Sequence, residues 1–313
     1  MTLKIAIQMD DICKINFKSD STFIMALEAQ ERNYELYYYQ PSQLCMFNKD
    51  VYAYVSKAKF FNDPKCYYEF EDPEIINLKS MDIILMRQDP PFDMNYITAC
   101  HMLENISDST LIINNPKEVR NCPEKLFVCN FPNLMPPTLI TQNINAIKNF
   151  REQYQDIVIK PLYAHGGKDV FRVKYDDENF LSIISSLQTT YNHPFVIQKF
   201  LPEIVNGDKR IILVDGVPAG AISRVPEIGQ IKSNLIAGGT AKKCQLNDRD
   251  YEICNIIGPE LSKRGLLLAG IDIIGEYVTE INVTSPTGLA SINNLYQINI
   301  TSIIWDKIIQ KLS

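Results

Sequence analysis

No apolar run in this chain approaches the ~20 residues of a bilayer-spanning helix, so the sequence predicts no membrane segment. Met1 to Asp10 turns polar and acidic at once. It lacks the basic, apolar and small-residue regions of a secretory leader and reads as a first strand over Lys4–Met9. Basic residues do not dominate: 31 Lys and Arg face 37 Asp and Glu, and the net charge of −6 gives no support to non-specific nucleic-acid binding, which wants a basic footprint, so no nucleic-acid partner is expected. Histidine is scarce, at positions 101, 165 and 193, and none of the eight cysteines forms a C-x-x-C pair. Neither a zinc site nor a disulfide framework is indicated, though residues distant in sequence can still meet in space. Most of the cysteines read as small buried hydrophobes of a reducing compartment, and the expected location is the cytoplasm. Repeats and low-complexity tails are also missing. What remains is a 46% hydrophobic, 22% charged chain of 313 residues, long enough for two or three globular domains.

The first 120 residues alternate between strand and helix. Strands are expected at Lys4–Met9, Tyr34–Tyr39, Met81–Met86 and Leu111–Asn114, with a helix near Ser21–Asn33 capped by Ser19 or Ser21. That alternation predicts an α/β layer on a mainly parallel sheet. The loop Arg87-Gln-Asp-Pro-Pro-Phe-Asp93 follows a strand's C-terminal end, where open α/β sheets bind ligands. Arg87 there suits a substrate carboxylate, or else an ordinary surface ion pair. A helix opens after Pro123, and a smaller α/β unit follows with strands at Thr138–Thr141, Asp156–Lys160, Val170–Val173 and Phe195–Lys199. From about Lys209 the pattern becomes hairpin-rich, with helices at Asp248–Arg264 and Ser302–Leu312. The expected division is 1–122, 123–200 and 201–313.

Residues 269–282 carry the sharpest signal. Two apolar runs flank Gly275 and Glu276 and predict a β-hairpin. Glu280 and Asn282, two apart, emerge from one strand face, and Asp272 lies about as far before the turn as Glu280 lies after it. Three oxygen ligands on a rigid hairpin suit Mg²⁺, which needs few protein carboxylates when phosphates complete its shell. A solvated acidic face is the plain alternative.

The segment Ile157-Val-Ile-Lys160-Pro-Leu-Tyr-Ala-His-Gly166-Gly167 is a strand that delivers a lysine into a loop ending in two glycines. Such a loop donates backbone N–H groups to phosphate oxygens, or is an ordinary turn. Neither the G-x-x-x-x-G-K-[S/T] nor the G-x-G-x-x-G pattern is present. Phe195–Pro202 is a strand whose backbone, at Lys199 and Leu201, suits an adenine edge, with Asp208 next for ribose hydroxyls or a loop contact. Lys125, Lys160, Arg210 and Arg224 together suit a triphosphate and the charge that develops during transfer, although each alone is an ordinary surface charge.

These strings, in this order, resemble the bacterial type of glutathione synthetase, an ATP-grasp family. The resemblance runs essentially full length. It rests on Ile84–Asp93, Glu124-Lys125-Leu-Phe, Ile159-Lys160-Pro-Leu with Gly166-Gly167, Asn206–Arg210, Asn234–Gly239, Gly270–Gly275 and Thr279-Glu-Ile-Asn-Val-Thr-Ser-Pro286. It implies a mixed α/β and α+β fold of three parts, with an N-terminal pre-ATP-grasp α/β domain. It implies ATP-dependent joining of γ-glutamylcysteine to glycine through an acyl phosphate, giving ADP and phosphate. By resemblance, Lys125 and Lys160 hold ATP phosphates and Asp208 is a nucleotide-binding position. Asp272, Glu280 and Asn282 hold two Mg²⁺ ions, with Mn²⁺ as an alternative. Arg210, Arg224, Lys232 and Gly239 belong to the reaction centre, and the assembly is a homotetramer.

The acyl phosphate hydrolyses readily, so a lid must exclude water, and 226–234 is the expected lid. Four departures from the family pattern stand out. Lys232 replaces an arginine in the lid, Thr240-Ala-Lys242-Lys243 follows Gly239 where arginine is usual, and Gly288–Ser291 lacks a cation and an acid. His165 occupies a position usually small or methionine-like. Lys242 and Lys243 are candidates to replace the missing cation. Rival readings are another ATP-grasp carboxylate–amine ligase and a nucleotide-binding protein with impaired catalysis.

Overall fold

A computed structural model describes residues 2–227 and 238–312. The first sheet contains β1 (Lys4–Gln8), β2 (Glu35–Tyr39), β3 (Leu44–Phe47), β4 (Asp50–Phe60), β5 (Tyr68–Phe70), β6 (Glu74–Asn77), β7 (Ile83–Met86) and β8 (Leu111–Ile113). As expected, β2–β1–β7–β8 pair in parallel. The long β4 and its partners β3, β5 and β6 extend the sheet antiparallel, so it is mixed rather than mainly parallel. Around this sheet lie α1 (Ser21–Glu31), α2 (Met94–Glu104) and α3 (Pro116–Asn121). Neither serine caps α1. Asp20 does, its carboxylate accepting the Phe23 N–H at 2.7 Å, because it sits at the N-cap position between them.

The short α4 (Glu124–Phe127) leads into the second sheet of β9 (Thr138–Thr141), β10 (Ile157–Pro161), β11 (Phe171–Val173) and β12 (Phe195–Lys199), antiparallel in the order β11–β10–β12–β9. Strand alternation gives this sheet two unlike faces. Ile157, Ile159, Phe195 and Ile197 bury against α5 (Ile144–Tyr154) and α6 (Phe180–Thr190) as a separate core. Val158, Lys160 and Gln198 point the other way, into a cleft.

The third sheet runs β15–β14–β13–β16–β17, antiparallel throughout. Its strands are β13 (Asp208–Val214), β14 (Val217–Val225), β15 (Thr240–Lys243), β16 (Leu268–Ile274) and β17 (Tyr277–Asn282). Ile211, Ala269 and Ile271 pack against α7 (Asp248–Lys263) in a core that also contains Ala6, Ile84 and Met86 of the first sheet. On the opposite face Ile212, Val214 and Ile222 pack with α8 (Leu289–Tyr296), α9 (Ile300–Leu312) and residues of α1. The first and third sheets therefore share their cores. Asn114 fastens them: its amide donates to the Leu268 and Val283 carbonyls and accepts the Leu268 N–H. Trp305 donates to the Met25 carbonyl at 2.8 Å, tying α9 to α1. No described helix is long and apolar enough to cross a membrane.

Candidate active site

The apolar face of the third sheet ends where its strands turn charged. Asp208 and Arg210 alternate with core residues on β13, and the register sets Asp208 beside Arg224 and Arg210 beside Asp272. Asp272 also faces Glu280, and Gly270 faces Asn282, across the β16–β17 hairpin. Directly opposed side chains in an antiparallel pair share a face, so six polar groups gather on one surface. Arg210 forks onto Asp272, with Nε 2.5 Å from Oδ1 and Nη2 2.9 Å from Oδ2. Arg224 forks onto Asp208 at 2.8 and 2.5 Å, and its Nη2 also lies 2.9 Å from Asp272. Such bidentate pairs fix geometry as well as charge.

Gly270 makes room for this fork. A Cβ there would stand 3.0 Å from Arg210 Cδ and 3.3 Å from Pro286 Cβ.

The opposite wall brings two lysines to the same hairpin. Lys160 Nζ lies 3.1 Å from Glu280 Oε1, and Lys125 Nζ lies 3.9 Å from that oxygen. Lys125 is also held by Glu124 and donates to the Ala164 carbonyl at 2.6 Å. Burial would raise the pKa of Asp272 and Glu280. Arg210 and Arg224 outweigh it at Asp272, Lys125 and Lys160 outweigh it at Glu280, and both carboxyls are held below their ordinary values. Burial likewise disfavours the Lys125 cation, yet Glu124 and Glu280 raise its pKa. At Asp208 burial wins: it pushes the carboxyl up, the Arg224 fork pulls back, and Asp272 adds repulsion.

Two ionised carboxylates and the Asn282 amide are a hard-oxygen set that fits a divalent cation. Among the described residues no group of three or more His, Cys, Asp or Glu is arranged to hold a metal ion, so any such ion would also draw ligands from substrate phosphates. Both lysines approach Oε1 of Glu280. Gly166 and Gly167, with φ of 64° and 74°, take the left-handed conformation and line the cleft beside Lys160. Lys199 and Leu201 line it as well.

Other expectations fare differently. Arg87 is 3% exposed and is not part of the cleft wall; it donates to Thr22 Oγ1 and to the Pro286 carbonyl, both at 3.1 Å. Its neighbours Asp89 and Pro90 reach the wall instead. Gly239 lies just before β15 and outside the wall. Lys232 and residues 228–234 of the expected lid fall outside the described residues. Lys242 pairs with Ser223, on the face opposite Arg224, and Lys243 sits 5.5 Å from the Tyr296 ring, so neither joins the cleft wall. Sequence reasoning missed Glu124 and Asp89 as wall residues, although each adjoins a residue or loop already singled out.

Two family models match the chain: "Prokaryotic glutathione synthetase, N-terminal domain" over residues 3–120 and "Prokaryotic glutathione synthetase, ATP-grasp domain" over residues 124–297. A glutathione synthetase of Rhodopseudomonas palustris is 48% identical over 308 residues, covering 98% of each chain. One of Bradyrhizobium diazoefficiens is 48% identical over 311 residues, covering 99% of each. Among solved structures, D-cycloserine synthetase DcsG superposes with a TM-score of 0.70 at 13% identity, over 99% of this chain and 100% of that one. D-alanine–D-alanine ligase from Bacillus anthracis gives 0.63 at 14% identity, over 100% and 97%. At such identities these two likenesses speak for the fold alone.

Proposed function

The chain belongs to the prokaryotic glutathione synthetase family, and from that premise we propose that it joins γ-glutamylcysteine to glycine with cleavage of ATP to ADP and phosphate. It is an ATP-dependent carbon–nitrogen ligase. The observation that carries this reading is the convergence, in one cleft, of two lysines and two arginines on two carboxylates held ionised.

A free carboxylate does not react with an amine in water because its oxygen is a poor leaving group. The carboxylate of the dipeptide's cysteine therefore takes the γ-phosphoryl group of ATP first. Glycine's neutral amine then displaces phosphate from the acyl phosphate, forming the amide bond. Lys125 and Lys160 hold phosphate oxygens as point charges, and the backbone N–H groups at Gly166 and Gly167 add donors. Lys199 and Leu201 present backbone to the adenine edge. Asp208 orients Arg224, and Arg210 and Arg224 face the oxygens that gain charge as the phosphoryl group moves and the amine adds. Asp272, Glu280 and Asn282 are the residues to hold divalent metal. When bound, the metal neutralises charge between the triphosphate and the incoming carboxylate.

Finer assignments belong to the same proposal: two Mg²⁺ ions, with Mn²⁺ able to replace them, a cytoplasmic homotetramer, and three domains divided near residues 122 and 200. Arg87, beneath the Asp89–Pro90 wall, steadies the dipeptide side of the cleft through Thr22 and Pro286. The test is steady-state phosphate release by the purified protein. Release that requires γ-glutamylcysteine and glycine together supports the reading; release indifferent to both contradicts it.

A further inference from the structure

The loop after β10 is fastened from outside the cleft. The Tyr163 ring lies nearly parallel to Phe92, with centroids 6.2 Å apart and planes at 27°. Phe92 belongs to the loop after β7 and itself packs on Tyr96 at 5.2 Å. Tyr163 also meets the His193 ring edge-on at 5.0 Å, and His193 contacts Tyr191 at 5.2 Å. The Tyr191 hydroxyl donates to Asp169 Oδ2 at 2.6 Å. The segment 163–169 is thus held at both ends, by a ring stack at Tyr163 and a hydrogen bond at Asp169. Between those ends lie Gly166 and Gly167, whose conformational freedom would otherwise let the loop wander. The residue after Tyr163 is Ala164, whose carbonyl receives Lys125 Nζ.

We propose that Tyr163 is a positioning residue: in contact with both Phe92 and His193, it clasps the glycine loop to the N-terminal layer, keeps Lys125 on the Ala164 carbonyl, and holds the cleft closed to water during ligation. The second sheet has a core of its own, while Phe92 packs against the core shared by the other two, so this stack joins otherwise separately packed parts. Aromatic pairs in this range of separations attract through both dispersion and quadrupole. The inference rests on the ligase reading and concerns the acyl phosphate that reading requires. An opened loop admits water, water cleaves the mixed anhydride, and ATP is consumed without a peptide bond forming.

The experiment measures phosphate released per peptide bond formed, together with KM for ATP, in the full-length protein, Tyr163→Ala, Tyr163→Phe, Phe92→Ala and the Phe92→Ala/Tyr163→Ala double variant. This ratio is independent of the fraction of enzyme that is folded, so a merely destabilised variant leaves it unchanged. Unmodified protein is expected to release one phosphate per peptide, and failure of that control contradicts the ligase reading itself. Tyr163→Ala is expected to raise both the ratio and KM for ATP several-fold, Tyr163→Phe to restore both, and the double variant to be no worse than either single one. Tight coupling and unchanged KM in Tyr163→Ala would overturn the clasp. So would a Phe variant as damaged as Ala, or fully additive effects in the double variant.

Discussion

Arg224 serves two aspartates at once: its fork closes on Asp208 while Nη2 lies 2.9 Å from Asp272, which Arg210 grips from the other side. Four buried charges of alternating sign thus form a chain, in which Arg224 is the ion-pair partner of Asp208 and Asp272 that of Arg210, so loss of either central member strips a neighbour of its countercharge.

Asp272→Asn removes the charge that two guanidinium groups share. Breaking a buried pair costs about 3–5 kcal/mol, so a clear loss of thermal stability is expected along with activity near background. Calorimetric melting and phosphate-release assays check both. A variant as stable and active as the parent would show that Asp272 is not the hub.

Arg224→Lys keeps the charge and loses the planar fork. A lysine cannot close a two-point fork on Asp208 while also reaching Asp272, so kcat should fall by about 10²–10³-fold, with a smaller change in KM for ATP. Equal kcat in the two proteins would mean that charge alone suffices.

Gly270→Ala tests the close approach to Arg210. The added methyl would lie 3.0 Å from Arg210 Cδ and 3.3 Å from Pro286 Cβ. Overpacking costs about 1–3 kcal/mol, and the displaced guanidinium should lower kcat in a protein that still folds. Unchanged kinetics would mean that the fork relaxes freely.

Asp272 and Glu280 on one hand and Asp89 on the other give stability opposite dependence on pH. Asp272 and Glu280 have folded pKa values below the unfolded ones, so their contribution is full above the unfolded range, about pH 4, and is lost as pH falls through the folded values. Asp89 is raised, chiefly by burial and against the pull of Arg87, so its contribution is full at low pH and is lost as pH rises through its folded value. Asp89→Asn should therefore stabilise the protein at neutral pH and cease to do so below about pH 4. Melting temperatures across that range decide the matter; destabilisation at neutral pH would contradict the assignment.

Much of the fold and site is legible in the sequence where alternation is strict and glycines mark the turns. Ile157–Pro161, Phe195–Lys199 and the 268–282 hairpin fall within a residue of expectation, and the shared face of Asp272, Glu280 and Asn282 follows from a period of two. The antiparallel extension was not legible: Asp50–Phe60 mixes alanines and lysines with its apolar residues, which weakens the pattern. The Asp208–Arg224 fork depends on register, set by the 215–216 turn and an irregularity between Ile212 and Leu213. Arg87 looked free because its partners, Thr22 and Pro286, lie 65 and 199 residues away in the chain.

Activation of the dipeptide carboxylate by phosphoryl transfer is the central claim, and isotope transfer tests it most directly. γ-Glutamylcysteine carrying ¹⁸O in its cysteinyl carboxylate is turned over with ATP and glycine, and the released phosphate is weighed by mass spectrometry. The account predicts one labelled oxygen in each phosphate, delivered when the amine displaces it. Peptide formation accompanied by unlabelled phosphate would contradict it.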